Sequence, residues 1–291
     1  MPRKILGVIP ARLASSRFPG KVLAQISSKT MLQHVYERAS LARYLTSTII
    51  ATDDEQVYEV ARSFGARVRM TRADHLSGTE RVAEVASAEE AEIVVNIQGD
   101  EPLIDPAAID AAILPMVHND DVVMGTLKKR IEDPREIADP NVVKVVTDRA
   151  GDAIYFSRCP IPFLRVGQGG VPPWDPPVPA VRDPTRRSTQ AGSERPERTR
   201  TPGIPKPEMP VSRHFKHVGL YTYRRDFLLE YPTLPIGPLE QTERLEQLRA
   251  LENGYRIRVV ETEYESLGVD TPEDLARVSR LFEASVLRGV R

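Results

Sequence analysis

Three cationic side chains lie close together in the loop that follows the first apolar run of the chain. The stretch VIPARLASSRFPGKVL, residues 8–23, carries Arg12, Arg17 and Lys21 within ten residues, and its proline and glycine restrict the path of the backbone. An arginine guanidinium matches phosphate oxygens in pairs, and a lysine ammonium is a point charge that can follow a moving phosphoryl group. The loop therefore has the chemistry to bind a phosphate-bearing anion. A solvated polar loop explains the same composition equally well, and both interpretations stay open at this point.

The same loop lacks both common glycine-rich phosphate-binding patterns. It contains neither G-x-x-x-x-G-K-[ST] nor G-x-G-x-x-G, the first typical of P-loop proteins and the second of dinucleotide-binding folds. The sequence therefore excludes a dinucleotide-dependent oxidoreductase, and any phosphate site in this loop depends on its cations.

Carboxylates occur at two further places where they could serve an anion site. The stretch VVNIQGDEPLI predicts a buried strand that runs into Asp100 and Glu101, with Pro102 ending the strand pairing. Carboxylates at the end of a central strand can hold Mg²⁺ against substrate phosphates. In GVDTP, Asp270 comes directly before the start of a helix. The alternatives are a turn that uses Asp and Pro for backbone reasons and an acidic residue that favours a helix N-terminus.

The pattern of apolar residues predicts the elements that position these side chains. Short apolar runs such as KILGVIPAR, STIIATDD and EIVVNIQGDEP alternate with segments of helical spacing, and unbroken apolar runs are typical of strands buried on both faces. Such alternation predicts βαβ crossovers, and ligands then bind beyond the carboxyl ends of the strands. The predicted fold is α/β, a mixed, largely parallel sheet flanked by helices. Near the end of the chain, the sequence predicts one continuous helix over PLEQTERLEQLRALENGY and a last helix capped by Thr271.

Composition restricts the class of protein. The 291 residues carry a net charge of −1, which gives no basic field for nucleic acid. Cys159 is the only cysteine, so one chain can form neither a disulfide framework nor a thiolate metal cluster, and a reducing cytoplasm is the expected compartment. No apolar stretch approaches the roughly 20 residues that cross a bilayer. We therefore expect a cytoplasmic protein with no membrane or nucleic-acid partner.

One segment departs from this pattern. Residues 166–212 hold 11 of the 25 prolines and show no apolar periodicity, so they have too few apolar groups to offset the entropy of ordering. We expect a single domain, residues 1–291, with a disordered insertion at 166–212. A tolerated loop expansion is the simpler interpretation, and a binding arm that uses Trp174 and the scattered arginines is the alternative.

The order of the motifs along the chain resembles one enzyme family. The stretches IPARLASSRFPGKVL, MTRADHLSGTERVAE, VVNIQGDEPLI, YFSRCPIPF, HVGLYTYRRDFL, PLEQTERLEQLRALENGYRI and GVDTPEDLARV occur in this order, and together they resemble the 3-deoxy-manno-octulosonate cytidylyltransferases, or CMP-Kdo synthetases. The resemblance covers nearly all of the chain outside residues 166–212. It implies a sugar-nucleotidyltransferase fold, a homodimer, CTP and the acid sugar Kdo as substrates, and Mg²⁺ as cofactor.

The resemblance also implies roles for individual residues. The predicted nucleotide-binding residues are Ala11, Arg12, Ser15, Lys21, Arg72, Ser77, Gly78 and Thr79. The predicted sugar-binding residues are Arg17, Gln98, Arg158, His217, Tyr221, Glu246 and Gln247. Asp100 and Asp270 resemble the metal ligands, and Arg12, Lys21 and Asp100 are the predicted catalytic residues. The alternatives are activation of another acid sugar, such as a sialic acid or an amino-Kdo, and a non-catalytic nucleotide-binding regulator.

Overall fold

The computed structural model of this chain describes residues 3–14, 18–164 and 213–287. Ser15, Arg17 and the insertion at 166–212 lie outside these ranges, so the expectations for them stay predictions. No helix within the described ranges is both long enough and apolar enough to cross a lipid bilayer.

Strands and helices alternate through the first half of the chain, as the apolar pattern predicts. The elements in order are β1 (Ile5–Pro10), a 3₁₀ turn (Lys21–Leu23), β2 (Gln25–Ile26), β3 (Lys29–Thr30), α1 (Met31–Ala39), β4 (Ser47–Thr52), α2 (Glu55–Ser63), β5 (Arg67–Met70), α3 (Gly78–Ser87), β6 (Ile93–Asn96) and α4 (Pro106–His118). Four of these helices begin at a side chain that accepts a hydrogen bond from a backbone N–H of the first turn, namely Thr30, Asp54, Ser77 and Asp105.

The second half contains more strands and shorter helices. Its elements are β7 (Met124–Arg130), α5 (Arg135–Ala138), β8 (Lys144–Thr147), β9 (Ala153–Ser157), β10 (Phe215–Arg224), α6 (Arg225–Glu230), a 3₁₀ turn (Tyr231–Thr233), α7 (Pro238–Glu243), α8 (Leu248–Glu252), β11 (Ile257–Glu261) and α9 (Pro272–Leu287). The start of α9 confirms the predicted cap, because Thr271 Oγ1 accepts from the N–H of Asp274 at 3.2 Å.

The strands form one mixed sheet in the order β11-β7-β10-β6-β1-β4-β5. All neighbours in this order are parallel except β10, which runs antiparallel to both β6 and β7. The β8–β9 pair joins β10 through Lys144 and Lys216. The predicted fold class is confirmed, and the carboxyl ends of β1, β4 and β6 meet at one edge of the sheet.

Helices cover both faces of the sheet. Alternate residues of β1 enter two separate core clusters: Ile5 and Ile9 pack with residues of α1, α2 and α4, whereas Leu6 and Val8 pack with residues of α3, α6 and α8. Since successive side chains of a strand point to opposite faces, this alternation places one helical layer on each side.

Two boundaries differ from the sequence-based expectation. The strand predicted to run into Asp100 ends at Asn96, because a turn, in which the N–H of Glu101 lies 3.4 Å from the carbonyl of Gln98, leads the chain away from the sheet. The helix predicted over residues 238–255 is broken at Arg244, whose φ of +52° lies in the left-handed region.

Tertiary contacts on both sides explain the break in that helix. The carboxylate of Glu243, the last residue of α7, accepts from Ser157 Oγ at 2.6 Å and from the N–H of Arg158 at 3.0 Å. Beyond the break, the hydroxyl of Tyr231 donates to the carbonyl of Glu246 at 2.6 Å. These contacts outweigh the local preference for one continuous helix, and they turn the segment at Glu246 toward the carboxyl edge of the sheet.

Candidate active site

A cavity of about 850 Å³ lies at the carboxyl edge of β1 and β6. Three segments form most of its wall: the loop after β1, the start of α3 and the loop after β6. Their lining residues include Ala11, Arg12 and Lys21 from the first, His75, Ser77, Gly78 and Arg81 from the second, and Gln98, Gly99 and Asp100 from the third, and Asp270 completes the wall. The cavity is where an open, largely parallel sheet places its ligands.

Lys21 connects the two predicted metal ligands. Its Nζ donates to Asp100 Oδ2 at 2.7 Å, to Asp270 Oδ1 at 2.8 Å and to the carbonyl of Val269 at 3.0 Å. Burial disfavours the charge of the Lys21 ammonium, but the attraction of the Asp100 and Asp270 carboxylates outweighs burial, so the pKa of Lys21 is raised above its ordinary value. The lysine is therefore charged at physiological pH and holds the two carboxylates around one point.

The backbone around Lys21 is fixed by a turn. Gly20 has a φ of +72°, a conformation that glycine adopts without the strain imposed by a Cβ atom. Its N–H donates to the carbonyl of Leu13 at 3.0 Å, and the N–H of Lys21 donates to the carbonyl of Phe18 at 3.2 Å. The glycine noted in the sequence thus allows the turn that brings the lysine back toward the sheet edge.

The oxygen atoms of Asp100 and Asp270 form a donor set that suits Mg²⁺. Both carboxylates reach the same ammonium, so a cation at that position would meet an oxygen from each. Within the described residues, no group of three or more His, Cys, Asp or Glu side chains could hold a metal. Two carboxylates are enough for Mg²⁺, which commonly binds one or two of them together with substrate phosphates and water. The residues present therefore fit the predicted ion.

The other carboxylate that follows β6 is not part of this pair. Glu101 is buried, and it accepts hydrogen bonds from Tyr264 and Ser266 at 2.8 Å each. Although the sequence placed it beside Asp100 as a possible ligand of a hard cation, its side chain lies among residues that precede Asp270.

The remaining predicted nucleotide-binding residues divide into two groups. Arg12 lines the cavity and is exposed, and within the described part of the chain it has no hydrogen-bond or ion-pair partner that would compete with an anion. Ala11 is buried directly after the carboxyl end of β1, where its N–H donates to the carbonyl of Ala51 at 2.8 Å. Arg72, by contrast, does not line the cavity: it is exposed, with its Nε 3.6 Å from Asp74 and 3.7 Å from Glu84.

The start of α3 is bonded directly to a predicted sugar-binding residue. Ser77 caps the helix, and its hydroxyl donates to Glu246 Oε1 at 3.0 Å, while Thr79 Oγ1 donates to Glu246 Oε2 at 3.0 Å. Burial raises the pKa of Glu246, and these two hydroxyl donors oppose that rise. Predicted nucleotide-binding and sugar-binding residues are therefore neighbours in space here, although 169 positions separate Ser77 from Glu246.

Most other sugar-side residues lie near β10. Gln98 lines the cavity and donates to the carbonyl of Gly219 at 3.0 Å. The Nε2 atom of His217 is 2.9 Å from Thr126 Oγ1, and its ring centroid is 5.3 Å from that of Tyr221. Burial lowers the pKa of the His217 imidazole to about 3 and raises the pKa of the Tyr221 hydroxyl. Both groups are neutral at physiological pH, which suits hydrogen bonding to sugar hydroxyls.

Of the predicted sugar-binding residues that the structure describes, only Gln98 lines the cavity. The last two of them, Gln247 and Arg158, are engaged within the protein. Gln247 is buried at the start of α8. Arg158 uses its guanidinium within the protein: Nε donates to the carbonyl of Glu243 and Nη1 to that of Pro140, both at 2.9 Å. These bonds tie the end of β9 to α7 and leave Arg158 poorly placed to bind a substrate carboxylate.

The structure adds cavity residues that the sequence argument missed. Arg81 lies one turn after Gly78 on the same side of α3, and its Nη2 donates to Asp53 at 2.9 Å. His75 also lines the cavity, with Nε2 hydrogen-bonded to Glu84. The three-residue spacing between Gly78 and Arg81, which places both on one side of a helix, could have indicated Arg81 from the sequence. No such pattern indicates His75, because its position depends on an irregular loop.

A steric prediction concerns Gly99, in the loop between Gln98 and Asp100. A Cβ atom at Gly99 would lie 2.9 Å from the carbonyl oxygen of Pro10, so we expect Gly99→Ala to force the two loops apart and lower the free energy of unfolding by about 1–3 kcal/mol. Gly268→Ala is the matched control, since a Cβ there meets nothing within 4 Å. Urea denaturation of both variants measures the effect, and equal stability of the two would contradict the close packing of these loops.

Known proteins resemble this chain in both sequence and structure. The cytidylyltransferase family model matches residues 6–257. The chain is 72% identical over 290 residues to a 3-deoxy-manno-octulosonate cytidylyltransferase of Solibacter usitatus, covering 100% of this chain and 99% of the relative. The corresponding relative of Geobacter sulfurreducens is 51% identical over 274 residues, covering 94% and 97%. A solved structure of CMP:2-keto-3-deoxy-manno-octonic acid synthetase complexed with CTP matches with a TM-score of 0.78 and 38% identity, covering 97% of this chain and 99% of that chain.

The fold, the cavity and these matches define a nucleotidyltransferase. The similarity extends over essentially the full length of the chain and of its relatives. The chain belongs to the cytidylyltransferase family, among the 3-deoxy-manno-octulosonate cytidylyltransferases.

Proposed function

We propose that this protein joins CTP to the acid sugar Kdo, forming CMP-Kdo and pyrophosphate for lipopolysaccharide biosynthesis. The observation that carries the proposal is the 72% identity, over 100% of the chain, to a relative named for this activity. The geometry agrees with the proposal, because one cavity is lined by cationic side chains that could bind a triphosphate, by a pair of carboxylates and by further polar residues.

The nucleotide half of the cavity lies between the loop after β1 and the start of α3. We place the triphosphate against Arg12 and Lys21, whose positive charges suit phosphate oxygens. We place the cytosine against Ala11 and the segment Ser77–Thr79, where backbone groups can bond to the edge of a flat base. Arg72 lies outside the cavity wall and contributes to this site only if the loop moves.

We place the sugar next to Gln98, which lines the cavity. The polar residues near it are His217, Tyr221 and Glu246, which do not line the cavity in the free protein. Because the His217 imidazole is neutral, it serves as a hydrogen-bond partner for sugar hydroxyls and not as a cation for the carboxylate. Arg158 already donates to two backbone carbonyls. We therefore assign the sugar carboxylate to Arg17, the other arginine among the predicted sugar-binding residues, which lies outside the described residues.

The reaction needs positioning and charge stabilisation and no nucleophile from the protein. The oxygen of the anomeric hydroxyl of Kdo attacks the α-phosphorus of CTP, the bond from that phosphorus to the β-phosphate oxygen breaks, and the hydroxyl proton is released. Pyrophosphate leaves with its negative charge near Arg12 and Lys21. Such phosphoryl chemistry depends mainly on in-line placement and on fixed positive charge.

Asp100 and Asp270 are the proposed ligands of Mg²⁺. When bound, the ion supplies positive charge to the phosphate oxygens and acidifies a coordinated hydroxyl. Lys21 keeps the two carboxylates together in the free protein, and its ammonium becomes available to a phosphate when another cation neutralises them.

A coupled assay of pyrophosphate release tests the function. We expect release only when CTP, Mg²⁺ and Kdo are all present, and we expect little release when a sialic acid replaces Kdo. A rate that does not depend on Kdo, or that is equal with the sialic acid, would contradict the proposal. Full CTP binding without any turnover would favour a nucleotide-binding regulator.

Two further properties are proposed from the family resemblance. We expect the protein to form a homodimer and to act in the cytoplasm, where CTP is available. Sedimentation of the purified protein measures the first property directly.

A further inference from the structure

Asp270 is positioned by a segment without regular secondary structure. Residues 262–270, which we call the strap, connect β11 to α9 and form neither helix nor strand. Side-chain and backbone tethers must therefore determine where Asp270 lies. One of them comes from α9, where the carboxylate of Asp274 accepts from the N–H of Asp270 at 3.2 Å.

The buried carboxylate of Glu101 provides two of these tethers. Glu101 is 7% exposed. One of its oxygens accepts from the hydroxyl of Tyr264 and the other accepts from Ser266 Oγ, each at 2.8 Å. Both donors belong to the strap, whereas Glu101 follows directly after Asp100. The residue thus links the two segments that carry the proposed metal ligands.

A backbone contact completes the connection. The N–H of Val269 donates to the carbonyl of Asp100 at 2.9 Å, and the Val269 side chain is fully buried against Ile26 and Met31. The strap is therefore fixed at Tyr264, Ser266 and Val269, and Asp270 follows immediately.

The chemistry of Glu101 suggests a role beyond filling space. Among the described residues it has no salt-bridge partner, and burying a charge without a cation is costly. A carboxylate presents two oxygens that can each accept a hydroxyl proton, whereas a glutamine offers only one such oxygen. This matches the two hydroxyl donors of the strap.

We propose that Glu101 is a positioning residue: through Tyr264 and Ser266 it sets the spacing between Asp100 and Asp270 and thereby the affinity of this pair for a divalent cation. The inference rests on the proposed function, in which the pair binds the metal. Glu101 itself contacts neither the cation nor the substrates.

The test removes the two hydroxyl donors from the strap and leaves every carboxylate in place. The variants are Tyr264→Phe, Ser266→Ala and the double substitution, and the control is Glu263→Ala, because Glu263 is an exposed strap residue. Mn²⁺ binding to the protein without nucleotide is followed by electron paramagnetic resonance, with Asp100→Asn as the background. The Mg²⁺ dependence of turnover, the KM for Kdo and the melting temperature are measured in parallel.

We expect the double variant to bind Mn²⁺ about tenfold more weakly, the lower end of what lost outer contacts of a metal site cost. The Mg²⁺ concentration for half-maximal turnover should rise by a similar factor, while the KM for Kdo stays within about threefold. Tyr264→Phe, a conservative change, should show a smaller shift in the same direction and keeps the test decisive if the double variant does not fold.

Two outcomes overturn the inference in different ways. Wild-type Mn²⁺ affinity in a folded Tyr264→Phe or double variant, with only the melting temperature lowered, would make Glu101 a stability residue and leave the proposed function intact. Mn²⁺ binding that Asp100→Asn does not weaken would contradict the assignment of the metal ligands, and the inference would fail with it.

Discussion

Asp100→Asn lowers the rate of pyrophosphate release by about a hundredfold or more at saturating substrates, because losing one preorganised electrostatic contact to a transition state typically costs about 3 kcal/mol. The change keeps the shape of the side chain and removes the charge that pairs with Lys21 at 2.7 Å. We expect the fold to survive, since Asp100 lies in a loop at the edge of the sheet. Steady-state kinetics with CTP and Kdo at several Mg²⁺ concentrations measure the effect.

Asp105→Asn is the matched control for this variant. Asp105 lies five positions further along and caps α4, its side chain accepting from the N–H of Ala107 at 2.9 Å, and asparagine caps helices about as well as aspartate. The control should keep wild-type turnover. Near-normal turnover of Asp100→Asn at saturating Mg²⁺ would mean that Asp100 only shapes the turn after β6.

The second large effect is expected for Lys21→Met, which keeps the length of the side chain and removes the ammonium. Turnover should fall by about 10²–10³, the range seen when a single charge-stabilising donor is removed, and the KM for CTP should rise. Without the ammonium, the two carboxylates that share it in the wild type lose their common cation.

This loss has a second consequence that melting curves can detect. Mg²⁺ should stabilise Lys21→Met more than it stabilises the wild type, because the ion then has no ammonium to compete with at Asp100 and Asp270. Lys29→Met is the control, since among the described residues Lys29 forms its ion pair with Glu37, at a half-exposed site away from the cavity. If Lys21→Met keeps normal turnover and an unchanged response to Mg²⁺, Lys21 is a structural cation and not part of the triphosphate site.

The strands could be predicted where burial is uniform. The runs that form β1, β4 and β6 show no alternation of apolar and charged residues, because helices cover both faces of the sheet, and this pattern distinguishes them from half-exposed strands. The antiparallel direction of β10 is not contained in its own residues, since it depends on which neighbours the strand joins. The break at Arg244 could not be predicted from the helical pattern either, because tertiary bonds produce it: Glu243 bonds to Ser157, 86 positions away, and Glu246 bonds to Tyr231, 15 positions away.

The residues of the candidate site, like the fold, could be predicted from the sequence only in part. Arg12, Lys21, Asp100 and Asp270 line one cavity, as the motifs and the family resemblance led us to expect. The partners of Lys21 could not be predicted from the sequence, because its ammonium contacts Asp100 and Asp270, which are 79 and 249 positions away. Without the family resemblance, the residue types alone could not separate Asp100 from Glu101, because one turn of backbone sends the two neighbouring carboxylates in different directions.

A crystal structure of this protein with CTP and Mg²⁺ would show whether the cavity is the nucleotide and metal site. We expect the triphosphate against Arg12 and Lys21, with Lys21 Nζ moved from the carboxylates to a phosphate oxygen. We also expect the cytosine beside Ser77–Thr79 and a metal ion bound by Asp100 and Asp270. CTP bound outside this cavity, or inside it with Lys21 still bridging both carboxylates and no ion beside them, would contradict the proposed function of the cavity.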